Sequence, residues 1–211
     1  MERRPGSIST VALWLVADPS SATSKNLAHT IDALAERYST PRFSPHVTLL
    51  TRVPYSSPAT VVPAVSAVLA EWKRSRPTDD PLVLSLGSGL GSKADQQNYF
   101  QYLFARVDLS HALAGLRTAV REGLIDPDAR TAHPDDYFPH LSLMYGTDAS
   151  AENRIARDII DRLETGHELD PAGRAEDALV VERGQFVASE VWCVKCEGPV
   201  ESWQVLGKIN L

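Results

Sequence analysis

The chain has 211 residues, with a hydrophobic fraction of 43% and a charged fraction of 23%, values typical of a globular protein that argue against disorder or a fibrous structure. This length predicts one domain, residues 1–211, with a sizeable hydrophobic core. The formal net charge of −6 disfavours binding to long nucleic acid, which requires an extensive basic surface, but it leaves room for a small anionic ligand in a local pocket.

The first part of the chain predicts strand, helix, strand and helix in that order. The apolar run 10–16 is bounded by polar and turn residues, as expected of a buried strand. Apolar residues then recur with helical spacing over 31–38, after serines and threonines that can cap a helix. Residues 45–50 predict a second strand, closed by Pro54, and the spacing over 61–72 predicts a second helix.

The next part repeats this order. Residues 82–90 and 99–109 predict strands, connected through the Gly-, Ser- and Asp-rich segment 87–97. Ser110 is a candidate cap for a helix whose apolar face spans 113–120. The two successive parts therefore suggest a duplicated, two-lobed architecture without a flexible linker.

A polar loop, residues 125–137, leads to the apolar segment 138–146, which predicts another strand. Isoleucines at 155 and 159 share a face of a further helix. Three more strands are predicted in the tail, at 178–188, 190–198 and 203–211.

No part of the chain predicts membrane insertion or export. No segment approaches roughly 18 consecutive apolar residues, the length of a membrane-spanning helix. The first apolar run, VALWLV at 11–16, is too short for the apolar region of a signal peptide. We therefore expect no membrane association, and a cytoplasmic location with the nucleus as the alternative.

Cys193 and Cys196 are the only two cysteines, in a C-x-x-C spacing. A redox pair of the thioredoxin type needs a helix amino terminus, but this segment alternates like a strand, which sends the two thiols to opposite faces. A zinc site would need two further ligands, and no second C-x-x-C or H-x-x-x-H is present. We therefore interpret both cysteines as structural and predict no metal site.

Two short apolar segments carry the same polar pattern, PHVT at 45–48 and PHLS at 139–142. Residues i and i+2 of a strand share a face, so His46 would point with Thr48 and His140 with Ser142. Side by side, two such strands would line one cleft with two imidazoles and two hydroxyls.

That combination favours acid–base chemistry on a phosphodiester. Imidazole exchanges protons near neutral pH, so one ring can act as base and the other as acid, while hydroxyls donate to phosphate oxygens. A lone histidine on an apolar strand is more often a core residue bonded to a backbone carbonyl. The recurrence of the whole tetrad in two repeated parts favours a shared site instead.

The segments HVT (46–48) and HLS (140–142), with the trailing LMYG (143–146), resemble the two H-x-[ST] signatures of the two-histidine phosphoesterase superfamily, in its cyclic phosphodiesterase branch. The resemblance implies an α+β fold that is bilobal and duplicated, with two antiparallel sheets flanked by outer helices around a central cleft. It implies hydrolysis of a cyclic phosphate on ribose without a metal or cofactor, with a nucleoside 2′,3′-cyclic phosphate giving the 2′-phosphate. ADP-ribose 1″,2″-cyclic phosphate, a by-product of tRNA splicing, would give ADP-ribose 1″-phosphate.

Residue by residue, the resemblance implies that His46 and His140 are the acid–base pair and that Thr48 and Ser142 hold the non-bridging phosphate oxygens. Tyr145 matches a position where such enzymes place a tyrosine against the ligand; an ordinary cross-strand aromatic is the alternative. Trp14 matches a pocket tryptophan of plant-type relatives, and a core tryptophan is the alternative. We expect a monomer that acts on a small nucleotide cyclic phosphate.

The mechanism expected is in-line attack of water, with His140 preferred as base and His46 as acid, an order that reverses if the substrate binds the other way round. Two other functions remain open. An RNA-end-processing enzyme of the same superfamily, a 2′-5′ ligase or exonuclease, would need a more basic cleft rim. A non-catalytic nucleotide-binding module would not need two histidines.

The remaining histidines and the glycine-rich segment are secondary candidates. We expect His29, His111 and His167 on the surface, and His133 near the cleft rim at most. The segment GSGLGSK (87–93) lacks the spacing of a phosphate-binding loop and is interpreted as a hairpin tip.

Overall fold

A computed structural model describes residues 9–55, 57–77, 79–96, 98–127, 136–146, 154–165 and 184–211. Within these ranges the strands are β1 (Ser9–Ala17), β2 (Val47–Tyr55), β3 (Leu82–Gly91), β4 (Leu103–Val107), β5 (His140–Met144), β6 (Gln185–Lys195) and β7 (Gln204–Asn210). The helices are α1 (Ala22–Tyr38), α2 (Pro58–Ser75), α3 (His111–Leu124) and α4 (Arg154–Thr165), with short 3₁₀ turns at Ala94–Gln96, Tyr99–Gln101 and Val200–Ser202.

Local capping explains where the first three helices begin. The hydroxyls of Ser21 and Ser110 each accept a hydrogen bond from the backbone N–H three residues ahead, at 3.2 Å in both cases. At the start of α2, the side chain of Thr60 accepts from the backbone N–H of Ser57 at 3.2 Å, and Pro58 occupies the first turn. These contacts satisfy N–H groups that a helix leaves unpaired, each contributing about 1 kcal/mol.

The predicted α+β class is confirmed, but the strands are joined more closely than predicted. They form one connected antiparallel sheet in the order β1-β2-β5-β4-β3-β6-β7, with a further pairing of β1 with β6. Strand β6 makes this connection, because its residues 185–188 pair with β3 and its residues 188–194 pair with β1. The two expected sheets are therefore linked through a shared long strand and through a short contact of β2 with β5.

The main core lies between the sheet and the helices. The faces predicted from helical spacing are buried here, including Ile31 and Leu34 on α1, Leu69 on α2 and Leu116 on α3. Burying each such side chain contributes roughly 1.5–3 kcal/mol. A smaller apolar cluster lies apart from this core and includes Trp14 and Trp192.

Several predicted boundaries were wrong, including the hairpin tip predicted at 87–93, where β3 continues to Gly91. Strand β2 continues through Pro54 to Tyr55, because β2 pairs there with β1 and the missing N–H of proline faces no second strand. Residues Tyr99–Gln101 form a 3₁₀ turn instead of opening β4. The described part of the tail forms two strands in place of three, since Gln185–Lys195 is continuous across the polar residues at 189 and 190. The predicted stretch 178–183 lies outside the described residues.

Across the part of the chain that the structure describes, none of the helices combines the length and the apolar character needed to cross a membrane.

Candidate active site

The six residues predicted for the site line one cavity of about 500 Å³. They come from three strands and the residues next to them: Trp14 on β1, Thr48 on β2 with His46 just before it, and His140 and Ser142 on β5 with Tyr145 just after it. The described residues that complete the lining are Thr10, Val11, Ala12, Thr51, Arg52, Asn98, Phe100, Gln101, Cys196 and Trp203. The structure thus brings together the side chains that sequence reasoning had paired.

The pairing of β2 with β5 explains how motifs so distant in sequence meet. Val47 lies opposite Leu141 in an antiparallel register, and both side chains are buried in the main core. Their neighbours therefore point to the other face, with His46 across from Ser142. In a regular antiparallel pair, diagonal neighbours such as His46 and His140 lie about 7–8 Å apart, with their Cβ atoms somewhat closer, so both imidazoles can reach one small ligand.

Each histidine is held by the backbone in the same way. Nδ1 of His46 lies 2.7 Å from the carbonyl oxygen of Ser44, and Nδ1 of His140 lies 2.8 Å from the carbonyl oxygen of Phe138. A carbonyl oxygen only accepts, so Nδ1 carries the proton and donates in both rings. Nε2 is then the nitrogen that accepts a proton when the ring is neutral, as a general base requires.

Tyr145 contacts both motifs. Its hydroxyl lies 3.5 Å from Nε2 of His46 and also interacts with the side chain of Ser142. The ring stacks on Phe43, with centroids 3.9 Å apart and planes within 15°. Burial raises the pKa of Tyr145 well above its ordinary value, which keeps the phenol protonated as a hydrogen-bond donor. Tyr145 is therefore a cavity residue as well as part of an aromatic cluster.

Trp14 is likewise both buried and part of the cavity wall. Its ring stacks on the imidazole of His46, with centroids 3.6 Å apart and planes within 8°. The register Trp14 opposite Thr48 places it directly beside the first motif. The sequence left two interpretations of Trp14, a pocket residue or a core residue, and both apply. The tryptophan belongs to the smaller apolar cluster, and its ring fixes the orientation of the His46 imidazole.

The surroundings of the two rings lower both histidine pKa values. For His46, burial is the main cause and the nearby His140 adds to it, against the opposing hydrogen bond to Ser44, so that the pKa falls to about 4. Burial also lowers the pKa of His140, and the charge of Lys93 adds to this effect. Since His46 is 4% exposed and His140 is half-buried, the unliganded protein holds two neutral imidazoles at pH 7.

This burial predicts a loss of stability in mild acid. Above pH 6.5 His46 is neutral in both the folded and unfolded states, and its titration does not affect stability. Between pH 6.5 and about 4 the unfolded chain takes up a proton that the folded protein excludes, so the free energy of unfolding falls by about 3 kcal/mol. Urea unfolding of the wild type and His46→Gln at pH 7 and pH 4 measures this, because carboxylates contribute equally to both proteins. Equal pH dependence in the two would contradict the expectation.

The two hydroxyl residues differ in their present bonding. Ser142 is buried, and its hydroxyl donates to the carbonyl oxygen of Phe100 at 3.0 Å. Thr48 is half-buried, and its hydroxyl makes no hydrogen bond to another described residue. Both face the cavity and can donate to an anionic ligand, but Ser142 must first give up a bond.

Sequence reasoning missed the aromatic rim of the cavity. Phe100 is 49% exposed, and its ring centroid lies 5.8 Å from that of Trp203. Phe100 was assigned to a strand, and no periodicity signals a 3₁₀ turn at that position. An exposed phenylalanine facing a tryptophan at a pocket mouth is suited to stacking with a planar ring.

The two cysteines lie on opposite faces, as predicted. Cys193 is buried in the main core, and Cys196 lies at the cavity edge. Both are free thiols; burial raises the pKa of Cys193 to about 11, whereas Cys196 is exposed. A thiol of such high pKa carries little thiolate at pH 7, so Cys193 is a poor nucleophile.

The predicted surface positions of the other histidines can be checked for two of the four. His29 on α1 and His111 at the start of α3 are exposed, as predicted, while His133 and His167 lie outside the described residues. Among the residues with described positions, no three side chains of His, Cys, Asp or Glu are grouped so that they could hold a metal ion.

Comparisons with known proteins find one matching family and several similar proteins. Residues 9–211 match the family described as cyclic phosphodiesterase-like protein. A 2′,3′-cyclic-nucleotide 3′-phosphodiesterase of Kluyveromyces lactis is 26% identical over 220 residues, covering 95% of this chain and 98% of the relative. Its counterpart in Yarrowia lipolytica is 27% identical over 224 residues, covering 93% and 97%. Apo LigT of E. coli has a TM-score of 0.50 at 13% identity, over 96% of this chain and 98% of that one, a likeness of fold alone.

Proposed function

Since the chain belongs to the family of cyclic phosphodiesterase-like proteins, we propose that it hydrolyses nucleoside 2′,3′-cyclic phosphates to 2′-phosphates. ADP-ribose 1″,2″-cyclic phosphate, giving ADP-ribose 1″-phosphate, is the second substrate of this proposal. One observation carries it: both H-x-[ST] motifs line a single cavity, where Tyr145 contacts His46 of one motif and Ser142 of the other. The cyclic ester would lie between the two histidines.

The proposed reaction is in-line attack of water on phosphorus. One Nε2 removes a proton from the water as the new P–O bond forms, and the other ring donates its Nε2 proton to the ribose 3′-oxygen as the old P–O bond breaks. The ring strain of the five-membered cyclic ester lowers the barrier without a metal ion. Water and the cyclic diester together give one phosphate monoester, and the two rings exchange protonation states.

The difference in burial favours His46 as the base. Its low pKa keeps it neutral, and the hydroxyl of Tyr145 near Nε2 matches an accepting nitrogen. His140 is more exposed, and the negative charge of a bound phosphate raises the pKa of an adjacent imidazole, so His140 is the ring more readily protonated as the acid. This order reverses the preference reached from sequence.

The remaining contacts of the substrate follow from the lining. Thr48, Ser142 and Tyr145 would donate to the non-bridging oxygens, where negative charge grows in the transition state. Phe100 and Trp203 would contact the nucleobase by stacking, which does not require a particular base.

Two alternatives are less well supported. An RNA-end ligase or exonuclease needs a track of cations for the backbone, but Arg52 is the only charged side chain among the described residues that line the cavity. A binding module without turnover leaves unexplained why two imidazoles present an accepting Nε2 to the same cavity.

The test is turnover by the purified protein in the presence of a chelator. We expect 2′,3′-cyclic nucleotides to be converted to 2′-phosphates, and ADP-ribose 1″,2″-cyclic phosphate to ADP-ribose 1″-phosphate, with products identified by ³¹P NMR. Cleavage or joining of 2′-5′-linked oligonucleotides, with no turnover of cyclic phosphates, would establish the RNA-end alternative. Binding of nucleotides without any turnover would establish the binding module.

A further inference from the structure

The described part of the cavity lining carries one permanent charge, and it is positive. Of the described residues that line it, Arg52 is the only one with a charged side chain, and no carboxylate is among them. Arg52 is exposed and makes no ion pair with the other described residues. The chain has a net charge of −6, which repels anions in general. A guanidinium in a pocket that admits a nucleotide therefore attracts an anion to that particular position.

A β-bulge in β2 sets the direction of the Arg52 side chain. Thr51 and Arg52 together face the single residue Ala12 of β1, because Val53 pairs with Val11 and Leu50 pairs with Leu13. Such a bulge changes the direction of a side chain and is common beside active sites.

Arg52 adopts φ of 59°, in the left-handed region. Glycine or asparagine would occupy this region with less strain, so backbone preference does not account for an arginine here. Strain of this kind persists where the surrounding structure maintains it, and it is typical of functional sites.

The position of Arg52 separates it from the reacting phosphate. It lies four residues beyond Thr48 on the same strand, so their Cα atoms are at most about 13 Å apart. The histidines and hydroxyls occupy the other end of this span. A guanidinium there is suited to a second group of the same molecule, on the far side of the ribose from the cyclic ester.

We propose that Arg52 binds a second phosphate of the substrate, so that the site favours cyclic phosphates whose nucleotide also carries a 5′-phosphate or 5′-diphosphate group. This inference rests on the proposed function and narrows it to a substrate class. The planar guanidinium forms paired, charge-assisted hydrogen bonds to phosphate oxygens, which a neutral side chain cannot replace.

The experiment compares two substrates that differ only in this group, adenosine 2′,3′-cyclic phosphate with and without a 5′-phosphate. We expect the wild type to prefer the 5′-phosphorylated form. Arg52→Asn, which tolerates left-handed backbone, should lower kcat/KM for that form by about 10- to 100-fold, mainly through KM, and change the unphosphorylated form by less than about threefold. Arg52→Lys should recover part of the loss.

A matched control removes a positive charge elsewhere. Arg74 lies on α2 and pairs with Glu71 on the helix surface, so Arg74→Gln should leave the substrate preference unchanged. Equal losses on both substrates in Arg52→Asn, or no loss on either, would overturn the inference.

Binding separates this inference from the proposed function. Calorimetry with adenosine 2′-phosphate and adenosine 2′,5′-bisphosphate needs no turnover. The wild type should bind the bisphosphate at least about 10-fold more tightly, and Arg52→Asn should remove the difference. Absence of turnover with this binding pattern would reject the proposed reaction alone, whereas turnover with an unchanged ratio of Kd values in Arg52→Asn would reject the role of Arg52 alone.

Discussion

His46→Ala and His140→Ala are each expected to lower kcat/KM for a 2′,3′-cyclic nucleotide by about 10²- to 10⁴-fold, the range that a positioned acid or base contributes. Each ring already has Nδ1 bonded to a carbonyl oxygen, which leaves Nε2 as the nitrogen for proton transfer; in His46 this nitrogen lies 3.5 Å from the hydroxyl of Tyr145. Alanine removes that nitrogen, and the remaining histidine cannot serve as both base and acid in one step. The double variant should be little worse than either single variant, because the two groups act in one step.

Folding and binding controls make this result interpretable. His29→Ala and His111→Ala remove exposed imidazoles outside the cavity and should keep full activity. Because His46 is buried against Trp14, its variant needs a thermal unfolding curve, with His46→Asn as a second, polar replacement. Retained affinity for the 2′-phosphate product would assign the loss to the reaction. Full activity in either single variant would remove that histidine from the mechanism.

Local patterns in the sequence predicted the parts of the fold that depend on local physics. Apolar spacing located the faces of α1, α2 and α3, and serines before α1 and α3 marked the first turns of those two helices. The resemblance to two-histidine cyclic phosphodiesterases, drawn from two short motifs, is confirmed by the family match over residues 9–211. The i, i+2 rule placed each histidine on the face of its hydroxyl partner before their strands were known to be neighbours.

Features that depend on non-local packing could not be predicted in the same way. The β2–β5 contact rests on the single pair Val47 and Leu141, and no residue pattern specifies that register. The stacking of Trp14 on His46 and the approach of Phe100 to Trp203 join residues far apart in sequence. The left-handed Arg52 breaks the local preference for glycine or asparagine. The monomeric state and the cytoplasmic location stay predictions.

The two motifs are alike in sequence but differ in their surroundings. His46 stacks closely on Trp14 and is almost fully buried. His140 is half-buried, with the ring of Phe138 5.5 Å away, and Lys93 lies over that phenylalanine, 4.8 Å from its centroid. Two motifs of like sequence thus place their imidazoles in different surroundings, and different surroundings are what allow two groups of one type to take separate roles as acid and base.

The hydroxyl residues are expected to show a comparable asymmetry. Thr48→Val keeps the shape of a β-branched side chain and removes one donor to the phosphate. Hydrogen bonds to charged groups contribute about 1.5–3 kcal/mol, so kcat/KM should fall by about 10- to 100-fold. Ser142→Ala should cost less activity, because the serine hydroxyl must first leave the carbonyl oxygen of Phe100, to which it now donates. Steady-state kinetics of both variants measures the difference.

Controls for the Thr48 and Ser142 variants follow from the hydrogen bonds that the two hydroxyls make or lack. Thr48→Ser retains a hydroxyl and should recover most of the activity lost in Thr48→Val. Ser142→Ala leaves the Phe100 carbonyl without its donor, so its free energy of unfolding should fall by about 1 kcal/mol, whereas Thr48→Val should be nearly neutral because the Thr48 hydroxyl has no bond to a described residue. Unfolding in urea separates this structural effect from the kinetic one. A larger kinetic loss in Ser142→Ala than in Thr48→Val would show that the serine, despite its present bond, makes the stronger contact with the phosphate.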